Sequence, residues 1–145
     1  MAEAYTKYIL KDYNLDLAVQ SAGTNAKPGL PPTENTAKIL KSHGIPCADY
    51  RSKSCTNSLV DNADLIFVME NIHKQTLLEQ YPQAGNKIYR VADFCPDLEP
   101  WIREMGIPDP LGLAMFFYEN VYEMIERSCT SILKVFAGTS TELIH

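Results

Sequence analysis

Ala63-Asp64-Leu65-Ile66-Phe67-Val68-Met69 is nearly all apolar. A run of that length without alternation predicts a buried strand of a parallel sheet, covered on both faces. The next segment, Asn71 to Tyr81 (NIHKQTLLEQY), predicts a helix with Ile72, Leu77 and Leu78 turned inward. Lys87 to Val91 (KIYRV) then predicts another strand. A strand, a helix and a strand in this order imply a right-handed crossover between parallel neighbours.

Working towards the N-terminus, residues 1 to about 13 (MAEAYTKYILKDY) predict a helix with Ala4, Tyr5, Tyr8 and Ile9 on one side. Asn14 turns the chain, and Leu15 to Ser21 predicts a strand, because Leu15, Leu17 and Val19 alternate. TNAKPGLPP (24–32) is a Pro/Gly loop. A helix follows from about Pro32 to His43, with Ala37, Ile39 and Leu40 inward and Gly44 just past its end. Residues 45–58 are irregular and polar, and Asn57 to Asn62 predicts a short helical turn.

Towards the C-terminus, residues 92–112 form a long loop with a helical turn at Leu98 to Met105. Loops of that length inside a compact domain usually carry function or mobility. The last helix runs from about Leu113 to Phe136, on Met115, Tyr118, Val121 or Tyr122, Ile125, Cys129, Ile132 and Phe136. Gly138 ends it, leaving 138–145 as a tail beyond a single domain at 1–137. The fold class is α/β, a parallel sheet flanked by helices.

The 145 residues carry a net charge of −5, which argues against a general nucleic-acid or anionic-membrane binder. No apolar run approaches membrane-spanning length, and the first residues lack the basic-then-apolar signal pattern, so the expected location is cytoplasmic. Cys47, Cys55, Cys95 and Cys129 form no C-x-x-C pair and do not cluster with His43, His73 and His145, so no metal site is expected.

The stretch with chemical promise is Ile107-Pro108-Asp109-Pro110-Leu111-Gly112. Pro108 and Pro110 each fix φ, and Pro110 pushes Asp109 away from helical backbone. The carboxylate is presented rigidly at a helix entrance, as a general acid requires. An acid that simply favours the positive end of a helix is the alternative. In parallel sheets, ligands sit beyond the carboxyl ends of the strands, and the loop after Val91 leaves from that edge.

Taken together, these strings resemble the low-molecular-weight protein tyrosine phosphatase family. Met1-Ala2-Glu3-Ala4 is similar to the start of that family's first helix. Ser21-Ala22-Gly23-Thr24 is similar to the end of its second strand, and His43-Gly44-Ile45 to the end of its second helix. Asp64 to Met69 matches its third strand, and Asp109-Pro110 its general-acid loop. The resemblance implies phosphomonoester hydrolysis through a cysteinyl-phosphate. A thiolate in a C-x5-R-S loop attacks phosphorus, the loop's N–H groups and Arg hold the equatorial oxygens, and the Asp protonates the leaving oxygen. It assigns Asp109 as general acid, with Pro110 and His43 as support, His43 from beneath the phosphate loop. No cofactor is implied, since thiolate, Arg and Asp suffice. The implied partner is a phosphorylated protein or inorganic phosphate.

One departure stands out. Cys47 has Arg51 four residues on, Cys95 has Arg103 eight on, and neither Cys55 nor Cys129 has an Arg six on. The family's first strand and C-x5-R-S loop belong before the segment matching Met1. The expectation is therefore a phosphatase fold with its first strand missing, truncated at an internal methionine and inactive as it stands. The alternative is a catalytically dead relative that binds a partner. Leu111 stands where many tyrosine-specific members carry an aromatic, and Asn71 to Gln75 is similar to bacterial members. Protein-arginine phosphatases and arsenate reductases therefore stay open for an intact protein. Ser21 and Thr24 are expected as strand-end packing, and Trp101 as a packing anchor rather than a substrate contact.

Overall fold

The structure, a computed structural model, describes residues 1–95 and 97–142, with side chains as far as 138. Helix α1 spans Ala2–Leu10, and a 3-10 turn at Lys11–Tyr13 carries it to Asn14, whose φ of 49° reverses the chain. Helix α2 covers Glu34–Ser42 and α3 Asn57–Asn62. Strand β1 (Ile66–Val68), helix α4 (Asn71–Gln80) and strand β2 (Ile88–Arg90) follow, then α5 (Pro100–Met105) and the long α6 (Met115–Glu142).

The expected strand-helix-strand unit is present. β1 pairs β2 in parallel, Phe67 opposite Tyr89. The pleat divides the core. Val68 and Ile88 are buried on one side with Val60, Leu77, Tyr81 and Ala84, and Ile66 packs against them. Phe67 and Met69 turn the other way, onto a larger cluster built from α1, α2, α5 and α6. The fold is thus α/β, with helices flanking a parallel sheet.

Local chemistry explains the short helices. The Thr33 side chain accepts the Thr36 N–H at 3.2 Å to cap α2, and Gly44, at φ 71°, follows His43, the residue that caps its C-terminal end. Thr56 caps α3 through the Leu59 N–H. Replacing Thr33 by Ala should lower the unfolding free energy by about 1 kcal/mol. A urea midpoint indistinguishable from that of the unaltered chain would show that the cap contributes nothing.

Four expectations need correction. Leu15 to Ser21 is not a strand. A ladder needs a neighbour, and among the described residues the chain pairs only past this segment, where Gly23 meets Ser54 in an isolated parallel bridge, so Leu17 stays 38 % exposed. β1 is shorter and less covered than its composition suggested, with Leu65 39 % exposed, because β2 is its only strand partner among the described residues. On α4 only Leu77 is buried, whereas Ile72 and Leu78 face outward. Gly138 lies inside α6, which continues to Glu142, so the tail expected from 138 is helical that far, and 143–145 fall outside the described residues.

The stripe on α6 is where the periodicity put it. Tyr118, Val121, Tyr122, Ile125, Cys129 and Ile132 are all buried. Tyr122 is the meeting point of three helices: its ring is edge-on to Tyr5 of α1 and stacked on His43 at the end of α2.

Candidate active site

The acid loop is tied to the carboxyl end of the sheet. The Ile107 N–H donates to the Met69 carbonyl at 2.8 Å, just past the end of β1. Gly106 forms an antiparallel bridge with Glu70 and has φ 101°, ψ 178°, a conformation essentially reserved for glycine. Ile107 is buried, so the loop cannot lift without exposing it. Two residues on, the Asp109 carboxylate stays exposed while its Oδ1 accepts the Leu111 N–H at 2.9 Å. Pro110 is buried and its carbonyl accepts the Leu113 N–H at 2.9 Å, leading into α6. The two prolines and this side-chain-to-backbone turn fix the carboxylate's direction through one of its oxygens.

A second set of bonds supports the same place. Arg90, the last residue of β2, reaches the Glu104 carbonyl at 2.9 Å and the Asn71 Oδ1 at 2.7 Å through Nη1. The Asn71 amide donates to that carbonyl at 2.6 Å. Asp93 holds the other side of the guanidinium through Nε and Nη2, and this pairing pushes the Arg90 pKa further up. These contacts join a side chain to a distant carbonyl, and no spacing in the sequence announces them.

His43 sits elsewhere. It is exposed, stacked on Tyr122 with ring centroids 4.1 Å apart, and lines a shallow cleft with Ser42, Glu119, Glu123 and Glu126. Among the described residues, no hydrogen bond links it to the Asp109 loop. Ser21 donates to Glu3 at 2.5 Å, and Lys7 grips the same carboxylate at 2.7 Å. Burial pushes Glu3 up, but these two bonds and the charge of Lys53 outweigh it and leave its pKa below the ordinary range. Trp101, expected as a packing anchor, is 56 % exposed on α5, because the buried face of that short helix is taken by Ile102.

Cys95 and Cys129 are buried, and burial pushes the Cys129 thiol up despite the opposing effects of Thr6 and the α-amino group. Cys47 and Cys55 are half-buried. All four are free. Among the described residues, no group of three or more His, Cys, Asp or Glu side chains is placed to hold a metal ion, and no helix is long and apolar enough to cross a membrane.

A sequence model of the low molecular weight phosphotyrosine protein phosphatases matches residues 1–141. The chain belongs to that family. Among relatives, it is similar to the low molecular weight protein-tyrosine-phosphatase PtpA of Staphylococcus aureus, at 31% identity over 135 residues, covering 92% of this chain and 82% of PtpA. It is 30% identical over 111 residues to the probable low molecular weight protein-tyrosine-phosphatase EpsP of Ralstonia nicotianae, covering 77% of this chain and 71% of EpsP. In three dimensions it superimposes on the YwlE arginine phosphatase of Geobacillus stearothermophilus with a TM-score of 0.82, covering 99% of this chain and 86% of that one. At 23% identity that likeness speaks for the fold alone. In this member of the phosphatase family, Asp109-Pro110 stands just ahead of the last helix.

Proposed function

We propose that this chain supplies the general acid of a cysteinyl-phosphate phosphatase site. Asp109 is the acid, Pro110 fixes it, and a phosphorylated protein is the substrate. The observation that carries the reading is the exposed Asp109 carboxylate, hydrogen-bonded to Leu111 and anchored through Ile107 to the carboxyl end of β1. From there an acid protonates the ester oxygen as it departs, so that the leaving group does not leave as an unprotonated anion. Phosphotyrosine is the default substrate, since PtpA and EpsP are named tyrosine phosphatases. The exposed Leu111 beside the acid provides an apolar wall without an aromatic ring.

The 145 residues hold no C-x5-R, Cys95 and Cys129 are buried, and burial pushes the Cys129 thiol up, so the chain alone is proposed to be inactive. The second reading, a binding module built on a phosphatase fold, rests on the same observation. A cytoplasmic location agrees with the reduced thiols. His43 as a support for a phosphate loop remains part of the proposal and rests on its matching position alone.

Hydrolysis of an aryl phosphate by the 145-residue protein should stay at the buffer rate. An engineered version preceded by a β-strand and a C-x5-R-S-P loop should turn over, and its Asp109→Asn form should lose about 10²- to 10⁴-fold in kcat. Turnover by the chain alone would overturn the inactive reading. An active engineered version indifferent to Asp109 would overturn the assignment of the acid.

A further inference from the structure

The acid loop leaves α5 and crosses the carboxyl ends of both strands before Asp109. On the β1 side it is tied by backbone, the Ile107 N–H donating to Met69 O beside the Glu70–Gly106 bridge. On the β2 side the connection is made by side chains. Arg90 and Asn71 bond each other, and both donate to one acceptor, the carbonyl of Glu104. Glu104 is two residues before Gly106 and five before Asp109. Arg90 is itself immobilised by the bidentate grip of Asp93. A planar guanidinium held on one edge presents its remaining donors in fixed directions.

We propose that Asn71 and Arg90 are positioning residues for the acid, a side-chain clamp that sets where the 104–110 segment lies across the strand ends. The proposal rests on the assignment of Asp109 as the acid, but its geometry is independent of that assignment. Asn71 opens α4 directly behind β1, and Arg90 closes β2, so the clamp transmits the spacing of the two paired strands to one carbonyl. The first turn of α4 is closed without the Asn71 side chain, since the Glu70 N–H donates to His73 Nδ1 and the His73 N–H to the Glu70 carbonyl. The Asn71 amide is therefore spent on the loop. Nor does Arg90 neutralise a buried carboxylate, since Asp93 is exposed.

The test is carried out on the 145-residue protein and does not depend on turnover. In the unaltered chain, the amide signal of Leu111 should move with the titration of the Asp109 carboxyl, because the two are hydrogen-bonded. Asn71→Ala should speed amide exchange at Ile107 by about tenfold, the equivalent of one net hydrogen bond. It should also reduce the pH-dependent movement of Leu111 by half or more, while exchange in α6 stays unchanged. Asn71→Asp, which keeps the acceptor for Arg90 and loses the donor to Glu104, should fall between. Arg90→Lys, with one point charge in place of the fork, should match Asn71→Ala at Ile107. If Asn71→Ala unfolds the chain, Asn71→Asp and Arg90→Lys carry the test by the same two signals. Unchanged Ile107 and Leu111 signals in the folded variants overturn the clamp. Should Leu111 not follow Asp109 even in the unaltered chain, the turn holding the acid falls first. If the engineered active version ignores Asp109→Asn while the clamp signals hold, the acid assignment alone is lost.

Discussion

Replacing Gly106 by alanine is expected to destabilise the chain by about 3 kcal/mol or more, the range reached when a clash adds to a forbidden backbone conformation. A Cβ there would lie 2.3 Å from the Met69 carbonyl oxygen and 2.6 Å from the Glu70 Cα. Both neighbours are backbone, so neither can rotate aside. With φ 101° and ψ 178° the residue also occupies a region that L-residues avoid. Gly29 and Gly112 have positive φ too, but nothing lies within 4 Å of a Cβ at either. Their alanine forms should lose only the cost of the conformation. Urea unfolding of the three variants decides the matter. Equal losses at 106 and 112 would mean that the Gly106 loop shifts freely, and the close packing of the acid loop on β1 would then be wrong.

The second large effect is expected at Tyr122, which is 1 % exposed. Tyr122→Ala removes the ring against which Tyr5 stands edge-on at 5.9 Å and on which His43 stacks. A loss of about 3–5 kcal/mol follows from the cavity and the lost contacts together. Tyr122→Phe keeps the ring and separates packing from ionisation. Burial first, then the nearby Glu126, Tyr5 and Tyr8, raise the Tyr122 pKa above that of a free tyrosine. A raised folded-state value gives stability that is complete below about pH 10 and declines as pH climbs towards the folded value. The phenylalanine form should therefore lose less stability between pH 9 and pH 11 than the unaltered chain. Parallel pH curves for the two proteins would show that Tyr122 ionises as readily in the folded state as in the unfolded one.

The contrast between these residues shows what a sequence can reveal. The α6 stripe and the Gly44 stop after α2 were legible because each depends on a few adjacent positions. The strand-helix-strand order was legible for the same reason, and with it the fold class. Asp109 was legible because two prolines flank it, and the family resemblance gave it a role. Leu15 to Ser21 misled because alternation predicts only which side chains share a face. Pairing is decided by another segment. Ile72 and Leu78 misled in a similar way, since α4 needs only the narrow stripe centred on Leu77 where it meets β1 and β2. Gly138 is weak punctuation inside a helix whose preceding turns are already nucleated and packed. The bonds from Arg90 and Asn71 to Glu104 were invisible because their acceptor is backbone, 14 and 33 residues away.

The hydroxyls of Tyr5 and Thr130 lie 2.7 Å apart across a separation of 125 residues, and α1 packs along α6. Synthesis proceeds at about 5–20 residues per second, so α1 leaves the ribosome roughly 6–25 seconds before its main partner does. During that interval Ala4, Tyr5 and Ile9 have no lasting surface to cover them. A helix made long before α6 is among the last to be secured, and a nascent chain stalled before Tyr122 carries a bare apolar face on α1, an early target for chaperones.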